Sequence, residues 1–224
     1  ERERKALPYK SLEIDRTLVP KAEIADVSEL SLIQPNNYKA YAKWIKSNVV
    51  QQKQYGYYAV QLKITLGDLD SNRARALARI IPQFAADDIR LSVNQGMLLR
   101  FVAPEALAHL YNALDEIGLA KPGFDSLGDI TACPGTDTCN LGIASSMGLA
   151  AALQRIIEDE YPKVIEKHNL NIKISGCMNA CGQHAIADIG FQGMTVKSNG
   201  NIAPATQVLL GGGVLGNGAG RYAD

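Results

Sequence analysis

An α+β fold is predicted for this chain by three features of its sequence. The stretch "YYAVQLKITL" at 57–66 alternates apolar and polar side chains with a period of two, the mark of a half-buried strand. Ala74, Leu77, Ala78 and Ile81 instead recur at helical spacing. Strand-like and helix-like segments then follow one another along the chain, with no long all-helical or all-strand stretch.

Each element has a local justification. Residues 1–33 mix charges with isolated apolar positions and two prolines, Pro8 and Pro20, and read as an extended, wrapping linker. Asn36 or Asn37 can cap a helix over 37–53 that puts Tyr41, Trp44, Ile45 and Val49 on one face. The strand at 57–66 points Tyr58, Val60, Leu62, Ile64 and Leu66 to one side and Gln61, Lys63 and Thr65 to the other. Gly67 and the 68–71 segment supply a turn and a cap, and Pro82 lies close enough to the helix end to be tolerated. "IRLSV" and "MLLRFV" read as strands around a turn at "NQG", and "PEALAHLYNALDEIG" as a helix opened by Pro104 and closed by Gly118. Strand, helix, strand, strand, helix between 57 and 118 is a split βαβ layout of the ferredoxin-like kind, which still needs a fourth strand or a partner sheet.

"KPGFDSLGD" marks a boundary. From Asn140 to about Tyr161, Leu141, Ala144, Leu149, Ala152, Leu153 and Ile156 predict a helix that starts directly behind Cys139. "LNIKIS" reads as a strand running into Cys177, "AIADIGFQG" as one leaving Cys181, and the end "LLGGGVLGNGAGRYAD" is glycine-rich with no capping element.

Composition narrows the function classes. The 224 residues are 46% hydrophobic, enough for a sizeable core. Twenty-three Lys and Arg balance twenty-three Asp and Glu, so no global field draws in nucleic acid or an anionic membrane. With no apolar run long enough to span a bilayer, and with "ERERKALPYK" offering neither a signal-peptide segment nor an initiator Met, a cytosolic chain, cut from a longer one, is expected.

The cysteines carry the chemistry. Four are present, as C-x5-C at Cys133 and Cys139, then thirty-seven residues, then C-x3-C at Cys177 and Cys181. In a reducing compartment such pairs favour metal or redox chemistry over disulfides. Zinc knuckles use tighter spacings, so only one pair fits a structural zinc site loosely; four thiolates at wider spacing suit an iron-sulfur cube. A helix start behind Cys139 would stabilise an anionic cluster, and Pro134, Gly135, Gly176 and Gly182 let backbone pass close to a bulky inorganic body. Four inert buried thiols, or a disulfide framework, are the plain alternatives.

"TACPGTDTCNLGIASS" followed by "KISGCMNACGQHAIADIGFQG" resembles the cluster-binding signature of the siroheme-dependent nitrite and sulfite reductases, and "IRLSVNQGMLLRFV" resembles a segment of the ferredoxin-like half domain that precedes it. The matched regions run over roughly residues 55 to 195, and only the second, C-terminal half of that family is represented. After a linker at 1–35, the resemblance implies a ferredoxin-like half domain at 36–120 and an α+β iron-sulfur/siroheme-binding domain at 121–224, truncated at its end. It implies that Cys133, Cys139, Cys177 and Cys181 bind a 4Fe-4S cluster and that Cys181 also ligates the siroheme iron. Through that pair of cofactors the family reduces sulfite to sulfide or nitrite to ammonia by six electrons.

Asn179 resembles a position packed against cluster and siroheme, its amide serving the loop backbone being the equal alternative, while Arg90 and Gln95 repeat an arginine-to-glutamine motif whose catalytic arginine belongs to the other half. They are assigned a structural or cofactor-proximal role, and no catalytic residue is expected in this piece. Implied partners are the missing first half, a ferredoxin or flavoprotein electron donor, and a small anion; no nucleic acid or membrane is expected. The isolated piece is expected to be inactive. An iron-sulfur relay without siroheme, or a structural four-cysteine metal module, is the rival reading. His184 is expected to be a partly exposed loop residue, His109 and His168 to lie on the surface, and Trp44 with Tyr55, Tyr57 and Tyr58 to pack in the core and at sheet edges.

Overall fold

The structure, a computed structural model, describes residues 24–167, 170–212 and 221–222. The linker reading of 1–23, His168 and the glycine-rich stretch 213–220 lie outside the described residues.

Helix α1 (Tyr38–Asn48) is capped by Asn37, whose side chain accepts from the Ala40 N–H. It stops five residues short of the expected end. The β-branched pair Val49–Val50 opens a short strand β1 (Val49–Gln51) that pairs antiparallel with β2 (Tyr58–Leu62). That strand is the fourth one the half-finished layout called for. Helix α2 (Ser71–Phe84), capped by Asp70, the edge strand β3 (Arg90–Leu91), β4 (Met97–Val102) and α3 (Leu107–Glu116) complete a sheet of order β1-β2-β4-β3 with antiparallel neighbours.

Val60, Leu62 and Leu99 of this sheet are fully buried with Leu77, Leu110 and Leu114 of the helices. Trp44 joins them and meets Tyr111 edge-on at 5.3 Å. Two aromatic and polar assignments differ from expectation. Tyr55 is 96% exposed, because it sits in the β1–β2 turn rather than on a strand. Lys63, expected on the solvent side, is buried: β2 ends at Leu62, and the ammonium turns to Glu158 at 3.2 Å.

Residues 24–36 run along α3 without regular structure. His109 Nε2 meets the Ser31 carbonyl at 2.8 Å, and Asn112 accepts from the Asn36 N–H and donates to the Gln34 carbonyl. His109 is half-buried, stacked on Phe84, rather than a surface residue.

The second sheet has order β5-β6-β7-β8-β9, from β5 (Thr131–Ala132), β6 (Ile172–Ser175), β7 (Ile189–Ser198), β8 (Asn201–Leu210) and β9 (Arg221–Tyr222). Its first three strands are parallel and the rest antiparallel. Helices α4 (Ser146–Glu160) and α5 (Pro162–Lys167) accompany it. Ile130, Ala132, Ala150, Ile172 and Ile174 form its buried core.

Between the two sheets lies a polar seam. Asn48, fully buried, donates through Nδ2 to the Gln61 and Lys121 carbonyls and accepts through Oδ1 from the Gly123 N–H. One amide thus joins α1, β2 and the connecting segment. Lys63 crosses the same seam to Glu158 on α4.

Candidate functional site

Topology explains why cysteines 44 positions apart in sequence can share a site. Strands β5 and β6 are adjacent and parallel, paired Thr131 to Lys173 and Ala132 to Ile174. Cys133 and Cys177 therefore leave the same, carboxyl, end of neighbouring strands, where open α/β sheets keep their ligands. The ladder runs one step further, as the Cys133 N–H donates to the Ile174 carbonyl at 3.1 Å.

The two loops are then joined by backbone. Ile143 and Ala144 both donate their N–H to the Gly176 carbonyl, at 2.8 and 3.0 Å. A Cβ on Gly176 would come within 2.7 Å of Gly135 Cα, and one on Gly135 within 2.7 Å of the Ala144 carbonyl. One on Gly193 would overlap the Gly176 carbonyl. Only glycine permits this approach. Gly135 also holds φ at +54°, in the left-handed region.

This packing corrects one expectation. Helix α4 begins at Ser146, capped by Ser145, so no helix N-terminus abuts Cys139. The N–H groups of 143 and 144, which a helix would have used, are committed to Gly176 instead, and Gly142 is pressed against Gly135.

All four cysteines are free thiols. Cys177 is buried, Cys133 half-buried, and Cys139 and Cys181 exposed. Cys133 Sγ accepts from the Gly176 N–H at 3.1 Å, and Ser146 Oγ lies 3.5 Å from the same sulfur while donating to the Cys133 carbonyl. Among the described residues no three His, Cys, Asp or Glu side chains are grouped to hold a single metal ion. The exposed tips also carry Leu141 and Met178, 66% and 75% exposed, and Asn179 beside them.

Sequence reading and structure diverge at His184. It is buried rather than partly exposed, because the 184–186 turn packs beneath β7, where the His184 carbonyl crowds Gly190. Its Nε2 meets Gln192 Oε1 at 3.2 Å, and its Nδ1 has no partner among the described residues. Burial holds its pKa below the usual imidazole value, with Gln192 opposing.

Gln95 does not project freely. Its Nε2 donates to the Ala132 carbonyl at 2.7 Å and its Oε1 accepts from the Ala132 N–H at 3.0 Å, one residue before Cys133. Arg90 is exposed on the edge strand β3. Lys173 was not singled out from the sequence, although a lysine inside the apolar run "NIKIS" is a signal. It is buried, and its ammonium donates to Asn94 Oδ1 at 2.6 Å and Gln183 Oε1 at 3.3 Å. Burial lowers its pKa, while the Asp125 and Asp129 carboxylates act the other way.

A separate cleft of about 650 Å³ lies along the seam, lined by Lys46, Lys63, Lys121, Phe124, Glu158 and Ile165 among others. None of the four cysteines lines it.

Together these features define a ferredoxin-like half domain followed by a cysteine-bearing α+β domain. Family models match both parts: the nitrite/sulfite reductase ferredoxin-like half domain over residues 50–117, and the nitrite and sulphite reductase 4Fe-4S domain over 123–221. The chain belongs to the nitrite/sulfite reductase family.

Among its relatives, the assimilatory ferredoxin-dependent nitrite reductase of Haloferax mediterranei is 31% identical over 169 residues, 74% of this chain and 28% of the relative. The chloroplastic ferredoxin--nitrite reductase of Zea mays is 32% identical over 168 residues, 73% of this chain and 29% of its own. The structure of the Mycobacterium tuberculosis NirA protein superposes with a TM-score of 0.66 at 28% identity, covering 80% of this chain and 33% of that one. The chain thus spans under a third of the length of these two curated relatives. Among the described residues no helix is long and apolar enough to cross a membrane.

Proposed function

We propose that this chain is the cluster-bearing half of a siroheme nitrite/sulfite reductase, in which Cys133, Cys139, Cys177 and Cys181 hold a 4Fe-4S cluster. The observation that carries the reading is the joining of the two cysteine loops, through Gly135 and Gly176, at the carboxyl ends of β5 and β6. Four thiol donors, none in a disulfide, suit an iron-sulfur cluster, and the Gly176 N–H aimed at Cys133 Sγ is the kind of contact that tunes such a cluster.

In the proposed enzyme the cluster and siroheme supply one-electron transfer and an iron centre for a small anion. Cys181, exposed at the loop tip, is the thiolate proposed to be shared with siroheme, and Asn179 lies on the same exposed tip. Gln95 acts on the cluster loop through the Ala132 backbone. Arg90, at the sheet edge, is assigned a cofactor-proximal position that the first half of the enzyme would complete. Catalytic groups are assigned to that first half, and the relatives' coverage supports reading this chain as a fragment; its proposed division is a linker at 1–35, a half domain at 36–120 and a cluster domain at 121–224.

Ferredoxin is the favoured electron donor, since the nitrite reductase relatives are named for it, and nitrite or sulfite is the substrate class. Free cysteines suit a reducing compartment such as the cytoplasm. By itself the chain is expected to turn over neither anion.

The test is metal and acid-labile sulfide analysis after anaerobic reconstitution. Iron and sulfide in equal amounts, about four of each per chain, support the reading; zinc, or no metal, contradicts it. Nitrite or sulfite reduction by the isolated chain with reduced methyl viologen would contradict the assignment of catalysis to the other half.

A further inference from the structure

We infer that the turn between β3 and β4 is a clamp that positions both cysteine loops, and that Asn94, Lys173 and Gln183 are the residues through which it holds the Cys181 loop. What the loop carries rests on the cluster reading above; the clamp itself does not.

The turn is rigid. Ser92 closes it with its N–H to the Gly96 carbonyl at 2.9 Å and its Oγ to the Gly96 N–H at 3.1 Å. Gly96 leaves no room for a side chain, as a Cβ there would meet Phe124 at 2.5 Å and the Leu62 carbonyl at 2.8 Å. From this turn two neighbouring amides reach the second domain in different directions. Gln95 takes both backbone groups of Ala132, the residue before Cys133. Asn94 accepts from the buried ammonium of Lys173, which also donates to Gln183, two residues after Cys181.

The Cys181 loop needs such a hold. Ala180 and Gln183, on either side of Cys181, both sit at positive φ, +58° and +61°, a conformation disfavoured for residues with a Cβ. Within the loop, the Gln183 N–H reaches the Ala180 carbonyl and the Gly182 N–H reaches Ser175 Oγ. The Lys173 bridge ties this loop to the other domain. Packing alone explains none of this: an apolar side chain would fill the place of Lys173 without the cost of burying an ammonium. The hydrogen bonds of the Lys173 ammonium go to the amides at 94 and 183, which set its direction. Asn94, Lys173 and Gln183 are therefore positioning residues.

The test is hydrogen exchange on the 224-residue chain. Asn94→Leu removes the acceptor; Asn94→Asp keeps one for the ammonium. Asn94→Leu is expected to speed exchange of the 180–187 amides by about tenfold while leaving α2 unchanged, and Asn94→Asp to stay near wild type. Gln183→Met approaches the bridge from the other end and should give the same local pattern. In reconstituted protein Asn94→Leu should also release iron to a chelator about tenfold faster, with altered EPR g-values. Unchanged loop exchange in both Asn94→Leu and Gln183→Met, or an increase spread evenly over the whole chain, overturns the clamp. Should the wild-type chain bind no iron, the cluster reading fails, and the exchange measurement still decides for or against the clamp.

Discussion

The Gly176 N–H donates to the sulfur of Cys133 at 3.1 Å, so a residue adjoining the second cysteine pair is bonded to the first member of the other pair. The two motifs are one structure, and the glycines between them determine whether that structure can form.

Gly135→Ala and Gly176→Ala should each lower stability by about 2–4 kcal/mol, because the new methyl group must displace backbone at both positions and, at Gly135, the Ser146 hydroxyl as well. Gly56 provides the control. It also has positive φ, +84°, but nothing lies within 4 Å of its missing Cβ. Gly56→Ala should therefore cost about 1 kcal/mol, the backbone strain alone. Urea denaturation of the three variants measures the difference.

Asn48→Ala should destabilise by about 1–3 kcal/mol, since it removes the donor to the part-buried Gln61 and Lys121 carbonyls and leaves the Gly123 N–H with Ser47 Oγ alone. Asn48→Asp should be no milder. A carboxylate keeps the acceptor but faces two carbonyls that need a donor. Thermal unfolding of both variants checks this.

Asp129 predicts a pH dependence with a defined sign. Burial raises its pKa from 3.8 to about 6, while the Asp125 N–H at 2.9 Å and the Lys63 and Lys173 charges oppose the rise. A carboxyl that holds its proton more tightly when folded contributes stability that is complete below about pH 4 and lost as pH climbs through about 6. Asp129→Asn should flatten this fall, giving a gain over wild type that grows between pH 4 and pH 6 to the order of 2 kcal/mol. Buried His184, whose pKa is lowered, pulls the other way in the upper part of the range, but it is common to both proteins and cancels in the difference. Denaturant midpoints across pH 4–7 provide the readout.

The first domain was largely legible because its signals are local. Period-two alternation placed Val60 and Leu62 in the core, Asp70 and Asn37 lie where the helices begin, and Pro104 and Gly118 bound the α3 segment. Misreadings arose where a distant partner overrode local preference. Leu141 and Ala144 fit the helical spacing of the segment that follows, yet the Ile143 and Ala144 N–H groups serve Gly176, more than thirty residues away. Val49 fits a helical face, but β2 captures it as a strand. Lys63 and Lys173 are buried only because Glu158 and Asn94 come from another domain to meet them. The cysteine pairs were evident as motifs; which glycines join them was only partly so, since Gly193 lies well beyond the second pair and meets Gly176 through the β6–β7 register.

The cluster site is tested by the EPR spectrum of the dithionite-reduced chain after anaerobic reconstitution, recorded for wild type and for Cys177→Ser, the buried member of the four. Wild type should give the signal of a reduced 4Fe-4S cluster, and Cys177→Ser should lose it. No such signal in wild type, or an undiminished one in Cys177→Ser, would contradict the cluster reading.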